Sequence, residues 1–293
     1  MPNTNGSLPI SGSGMEELYY PNAQAEDMDF IGFTFNGQYS KNLNIYRVSD
    51  GNRYNDNLYG SFQDTTVQIP GGDGLYYFRT NYTSRVFNIS IAFDSLTDAQ
   101  LRNLRKVFSA NAMGSLIFDE WPYKAYSVKI QSPPQLKYIC FDEGSSRIYK
   151  GEGTINFVSY FPYASSTETK EITILENGST TLTNDGDVET DSLIWIDLRN
   201  QVSLNTQYTI SIGEKSLKFK IVSKKTDDDY YICFNSRTNL VEGYSGTSTA
   251  VGTPTGTLYN DAIVSGDFLK VPVGNSTFTS TIKAKAQFSE LYY

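Results

Sequence analysis

Between Val86 and Phe93 the chain alternates strictly: Phe87, Ile89, Ile91 and Phe93 are apolar, while Val86, Asn88, Ser90 and Ala92 fall between them. Period two of this kind predicts a β-strand with one buried face. Just before it stands Ile69-Pro-Gly-Gly-Asp-Gly74, where Pro70 fixes its own φ and Gly71, Gly72 and Gly74 tolerate positive φ. A sharp corner leading into the strand is expected there. From Asp29, a second alternating stretch is centred on Asn36-Gly37, a strong short-range hairpin signal.

Residues 95–111 break the pattern. Leu101, Leu104, Val107 and Phe108 recur at helical spacing, with Ser95 or Thr97 available as N-cap and Asp98 in the first turn. Arg102, Arg105 and Lys106 crowd the far end, where positive charge suits the macrodipole and a solvated face accounts for them. Further strands are expected in 114–132, with Pro122 at an edge or corner, and in 151–164.

The small, polar stretch Ser165–Glu171 reads as a linker, so the first domain is expected over 26–164 and the second over 165–293. No helix is expected in the second. Short strand candidates at 193–198, 206–213, 215–223, 230–235, 267–274 and 276–288 are separated by turn residues, the spacing of a β-sandwich. Residues 1–25, rich in Asn, Gly, Ser and Pro, are expected to form a flexible arm. The polar, Tyr-punctuated stretch 50–66 is expected to reach a neighbouring protomer. No repeat of fixed period suggests a propeller or solenoid.

Composition supports a mainly β chain: 22 Tyr and 17 Phe but only 2 Trp suit pleated, half-buried surfaces. A net charge of −8 and a pI near 4.7 argue against nucleic-acid binding, which needs clustered Lys and Arg. No segment is apolar for long enough to span a bilayer as a helix, and the N-terminus lacks the features of a secretory signal. The sequons at Asn81, Asn88, Asn177 and Asn275 therefore read as chance matches. Cys140 and Cys233, each flanked by apolar residues, read as buried free thiols.

There is no histidine, which removes the Ser-His-Asp and Cys-His constellations and His-ligated zinc. Phosphate-cradling glycine motifs are absent as well. A glycosidase needs only two carboxylates roughly 5 to 10 Å apart, and the Phe-Asp-Glu triplets at 118–120 and 141–143 are the candidates by aromatic neighbourhood. Surface acids at strand ends explain them more simply. Thr226–Tyr231 carries three acids but lacks the spaced donors and glycine of a calcium loop. No catalytic residue, metal or cofactor is expected.

The order of features resembles the distal tail protein family of long-tailed phages. The residues that carry the resemblance in the first half are Ile69, Pro70, Gly71, Asp73 and Gly74; then Asp119, Pro122, Tyr123 and Tyr126; then Phe161 and Pro162. In the second half they lie in 184–198, in 228–241 and in a closing signature containing Gly266, Asp267, Phe268, Pro272, Gly274 and Asn275. Asn235 stands where the family pattern has aspartate, and the lead-in of 1–25 is longer than usual.

The resemblance implies a β-rich, helix-bearing domain that builds a hexameric ring, followed by a galectin-like β-sandwich. It implies a virion structural protein at the distal end of the tail, synthesised in the host cytoplasm. Its partners would be copies of itself, the tail tube protein, the tail-tip hub protein and receptor-binding proteins, with no membrane. A carbohydrate-binding sandwich or glycosidase appendage is the alternative, since fold alone does not fix function.

Overall fold

The computed structural model describes residues 32–48, 60–109, 113–143, 146–198, 202–223, 231–244, 257–258 and 262–293. The expectations for the arm at 1–25, for 50–59 of the polar stretch and for the acids at 227–229 lie outside those residues. The chain divides into two compact units: one ends at Ala164 and takes in Tyr293, and the other is Ser165–Tyr292.

In the first unit β1 (Phe33–Phe35) and β2 (Gln38–Tyr39) form the expected hairpin, with Asn36 at φ 49 and Gly37 at φ 76. Both residues are left-handed, the twist that a two-residue hairpin turn requires. A 3-10 turn at Ser40–Leu43 leads to β3 (Tyr46–Arg47), then β4 (Phe62–Val67), β5 (Tyr76–Tyr82) and β6 (Arg85–Thr97). Helix α1 (Asp98–Val107) follows, then β7 (Met113–Phe118), β8 (Lys124–Glu143), β9 (Ser146–Ser159) and β10 (Ala164–Ser166), which crosses the boundary.

The main sheet runs in the order β2-β1-β7-β8-β9-β6-β3, while β4 and β5 pair only with each other. Along β6, Phe87, Ile89, Ile91 and Phe93 are buried, as the alternation predicts. Helix α1 starts with a capping box: the Gln100 amide donates to Thr97 Oγ1, and the Thr97 amide donates to Gln100 Oε1. Leu101 and Leu104 are buried, and so is Phe108 just past the helix, stacked on Phe35 at 5.8 Å. Phe33 and Phe157 complete this aromatic core. Arg102, Arg105 and Lys106 are exposed, the solvated face expected of them.

Strand β8 runs straight through Pro133 and Pro134, which donate no ladder hydrogen bonds. The ladder with β9 absorbs them through register shifts between Ile130 and Ser132 and between Ser132 and Gln135. Strand β7 pairs with β8 as far as Lys129, whereas β9 follows it to Glu143.

The second unit contains β11 (Lys170–Ile174), β12 (Gly178–Asn184), β13 (Thr190–Asp197), β14 (Gln207–Ile212), β15 (Lys215–Ile221), β16 (Tyr231–Asn235) and β17 (Leu240–Tyr244). It continues with β18 (Thr257–Leu258), β19 (Ala262–Gly266), β20 (Lys270–Val271), β21 (Gly274–Ser280), β22 (Ala284–Phe288) and β23 (Leu291–Tyr292). One sheet has the order β11-β22-β13-β16-β17-β18, with β20 on β13; the other is β12-β21-β14-β15-β19. Ile194, Ile196, Ile232, Phe234 and Phe288 from the first share one core with Leu182, Ile210, Leu217, Phe219 and Phe278 from the second. Phe219 meets Phe234 at 4.8 Å across the layers. This is a β-sandwich.

Three expectations need correction. The linker at 165–171 is largely strand, since the Ser166 amide donates to the Glu290 carbonyl and Lys170 and Glu171 pair in β11. The single strand expected over 276–288 is two. The Ser280 hydroxyl bonds both the amide and the carbonyl of Ile282, a local turn that sends β21 into one sheet and β22 into the other. In 267–274 only Lys270 and Val271 pair before β21 begins, because Gly266 and Gly274 are turned to φ 95 and 82 around Pro272.

Candidate interaction surface

The family-motif positions do not converge on a site. Ile69, Pro70, Gly71, Asp73 and Gly74 are exposed in the turn joining β4 to β5. Gly71 and Gly74 have φ 82 and 91, and a Cβ on either would touch nothing within 4 Å. The corner therefore needs glycine for its dihedrals and not for close packing, and it opens into an exposed hairpin before the buried β6.

Asp119, Pro122 and Tyr123 form the turn between β7 and β8, the corner expected for Pro122. Asp119 Oδ2 accepts from the Tyr39 hydroxyl at 2.8 Å. Tyr126 is buried against Phe87, ring centroids 4.8 Å apart, with the Arg85 guanidinium over its ring at 5.0 Å. Buried Pro162 packs against Gly60, while Phe161 stays exposed. In the second unit Gly266 lies against Ser216, Asn275 accepts from Thr183 Oγ1 at 2.9 Å, and Phe268 packs on the core. Asp267 is exposed and Pro272 half-buried.

The carboxylate candidates differ in setting. Glu120 pairs with Arg47 at 2.6 Å, and Asp142 lies 3.6 Å from Arg147 on an exposed surface. Among the described residues no three His, Cys, Asp or Glu side chains could hold a metal. Trp195, the lone Trp of the second unit, is 8% exposed and packs against Tyr244 at 4.6 Å, leaving little of its ring for a sugar to stack on. The Tyr244 hydroxyl, pushed up by burial and by donating to Glu242 at 2.6 Å, belongs to the same packed cluster. Cys233 is buried as expected, but Cys140 is exposed on β8, where period-two alternation alone cannot tell a core face from a projecting one.

What the structure does present is the β4–β5 arm. Every residue of both strands is exposed, Phe62 to 69% and Phe78 to 65%. Leu75, Tyr76 and Tyr77 join them on the same hairpin, as do Val67 and Ile69. The ladder is held by its own polar groups: Thr80 Oγ1 donates to Asp64 Oδ1 at 2.5 Å and lies 2.7 Å from the Tyr77 hydroxyl. A register shift between Thr65 and Thr66 twists it.

Its root is fixed to the first unit by reciprocal backbone bonds, Ser61 N to Ser84 O at 2.6 Å and Thr83 N to Ser61 O at 2.7 Å. There Tyr82 meets Tyr163 and Tyr293 edge to face, and burial pushes the Tyr163 hydroxyl up. An isolated two-stranded hairpin is marginal in water. Apolar side chains exposed on both of its faces make it the candidate interaction surface of the first unit.

The sequence contains a trace of this: Tyr76-Tyr77-Phe78 puts three aromatics in a row, which no one-sided strand accommodates. A second, smaller projection is the distal β8–β9 hairpin, where Tyr138, Ile139 and Phe141 are 43%, 42% and 37% exposed.

The described residues form two mostly β units, the first of which carries an apolar arm. Residues 40–159 match the family model described as phage tail protein RIFT-related domain. In fold the chain is similar to the Dit protein (gp 19.1) of phage SPP1, with a TM-score of 0.59 and 14% identity, covering 90% of this chain and 99% of that one. That protein is described as a paradigm of the hub adsorption apparatus in phages infecting Gram-positive hosts. Two structures of the phage p2 baseplate in its activated conformation, with Sr and with Ca, give TM-scores of 0.42 and 0.39. Each has 10% identity and covers 88% of this chain and 97% of that one. No curated protein matches the chain by sequence.

The resemblance read from the motif order is thus borne out by the family match in the first unit and by the shared fold. Residues 40–159 carry a phage tail protein domain, and the chain as a whole has a fold similar to that of a distal tail protein.

Proposed function

We propose that this chain is the subunit of a closed, six-membered ring at the distal end of the tail. The ring joins the tail tube to the baseplate and its receptor-binding apparatus, and the chain catalyses no reaction. The first unit, residues 26–164, builds the ring; the second, 165–293, is a galectin-like sandwich offered to receptor-binding proteins. The observation that carries this reading is the β4–β5 arm, an apolar projection rooted in the tail domain with nothing of its own chain covering it among the described residues. Closed rings repeat one contact between two different patches, and a projecting arm supplies one of them.

Negative-stain microscopy of the purified protein at high concentration, alone and with the tail tube protein, tests this. Closed six-fold rings with a central channel are expected. Uniform monomers in both samples would overturn it.

A further inference from the structure

We propose that the edge strand β19 of the sandwich takes an added strand from a partner protein, an extended segment bearing acidic side chains. This rests on the reading above that the second unit is offered to partner proteins, and names where and by what chemistry one attaches.

Strand β19, Ala-Ile-Val-Ser-Gly, pairs with β15 alone and ends its sheet. An open edge shows unpaired N–H and C=O groups to any extended chain, so proteins blunt it with charge, proline, a bulge or brevity. The other sheet ends described in this unit are blunted. Strand β11 carries Lys170 and Glu171, β12 has its Thr183 carbonyl taken by Lys170 Nζ at 3.1 Å, and β18 is two residues long. Strand β19 has no charge and no proline, and its register against β15 is unbroken.

Ladder parity fixes which groups are free. The Asp267 amide donates to the Ser216 carbonyl, and in the same phase Ser265 stands opposite Lys218 and Ile263 opposite Lys220. Alternate pairs of an antiparallel ladder exchange both bonds, so Ala262 and Val264 turn their amides and carbonyls away from β15. Ile263 is 60% exposed, and Ser265 is exposed beside it.

Charge selects the partner. None of the strands β12, β21, β14, β15 and β19 contains Asp or Glu, in a chain with 32 of them and a net charge of −8. Their only charges are Lys215, Lys218 and Lys220, and among the described residues only Lys215 has an ion pair, with Glu189 at 2.9 Å. Lys218 and Lys220 point outward from β15, next to the open edge. A strand added beyond β19 lies two spacings of about 4.8 Å from β15, close enough for a Glu side chain to meet a Lys. A free anion uses the lysines but not the ladder; an acidic extended polypeptide uses both.

Fluorescence anisotropy of the full chain with a labelled peptide alternating Val and Glu tests this. Two controls accompany it: the Val-Lys counterpart, and the Val-Glu peptide N-methylated throughout, which keeps its charge but donates no backbone hydrogen bond. The Val-Glu peptide is expected to bind at least tenfold more tightly than either. Ile263→Asp should weaken it at least tenfold, and Lys218→Glu with Lys220→Glu should turn the preference to the Val-Lys peptide. Equal binding of the plain and N-methylated peptides would leave an anion-binding face only and refute strand addition, as would no binding of either. Self-association of the chain that Ile263→Asp removes would give the edge to a second copy, with the same consequence.

Mixing the receptor-binding protein of the same tail with the unmodified chain and with Ile263→Asp separates this contact from the reading it rests on. Attachment to the unmodified chain alone is expected. Attachment to both removes β19 from the account and keeps the reading, whereas attachment to neither removes the reading itself.

Discussion

The Tyr39 hydroxyl donates to Asp119 Oδ2 at 2.8 Å across 80 residues of chain, locking the end of the first hairpin to the turn after β7. The Asp119 amide also donates to the Gly32 carbonyl, and a Cβ on Gly32 would sit 2.4 Å from the same carboxylate oxygen. A motif residue of the tail family thus works as a clamp. Asp119→Ala leaves the hydroxyl without its charged acceptor and is expected to destabilise the first unit by about 1–3 kcal/mol. Tyr39→Phe, which leaves the carboxylate partly solvated, should cost about 1 kcal/mol. Urea unfolding followed by tyrosine fluorescence measures both, and equal stability of Asp119→Ala and the parent would remove the clamp.

Glycines of the two signatures should separate by mechanism. Gly266 is at φ 95, and its added Cβ would meet the Ser216 carbonyl at 2.3 Å, so Gly266→Ala combines left-handed strain with a backbone clash. A loss of about 3 kcal/mol in the second unit is expected. Gly71 and Gly74, with open space around them, carry only the strain of roughly 1–2 kcal/mol, in a hairpin whose strands pair only with each other. Their alanine variants should melt with the parent, and the loss should appear in assembly alone.

Much of this architecture could be read from the chain. The alternation of β6, the helix start and the Asn36-Gly37 turn are local signals, and each appears where its chemistry places it; of the two N-cap candidates, Ser95 and Thr97, the structure uses Thr97. The arm leaves only the trace at Tyr76-Tyr77-Phe78, because Phe62, Tyr76 and Phe78 are residues that elsewhere fill cores, and among the described residues only the lack of a covering layer distinguishes them. Strand β8 hid for a different reason: Pro133-Pro134 reads as an end, yet two register shifts carry the strand through it. Nor could composition show that Ser280 splits 276–288 between two sheets, which depends on a hydroxyl bonding its neighbour two residues on.

Removing the arm's apolar character should uncouple folding from assembly. Phe62→Ser, Tyr76→Ser and Phe78→Ser together remove rings that are already solvated, so the thermal midpoint is expected to move by less than about 0.5 kcal/mol equivalent. The same triple variant should stay monomeric in sedimentation velocity at concentrations where the parent forms rings. Intact rings from it would assign the interface elsewhere.

The two thiols should differ in accessibility. Cys233 is fully buried in the sandwich, and burial, with Glu242 beside it, pushes the thiol up out of its reactive range. Cys140 is exposed. One equivalent of a thiol reagent is expected to react with the native monomer and a second only after denaturation, as mass spectrometry of the labelled chain will read.

Acid should loosen the second unit through Glu290. Burial, the largest single influence on this carboxyl, opposes its ionisation. It is outweighed by the hydrogen bond from Lys170 at 2.5 Å, by the Asp185 amide and the Tyr292 hydroxyl at 2.7 Å each, and by the Lys170 charge, so the folded-state value lies below the ordinary carboxylate range. A group depressed on folding adds stability above its unfolded value, near 4.3 for glutamate, and that contribution disappears as pH falls through the lower folded value. Stability measured between pH 7 and pH 3 should therefore decline toward the acid end. Glu290→Gln should begin lower at pH 7, because the Lys170 ammonium loses its buried partner, and should decline less steeply below pH 4.5. Curves that run parallel for the two proteins would mean that Glu290 titrates alike folded and unfolded.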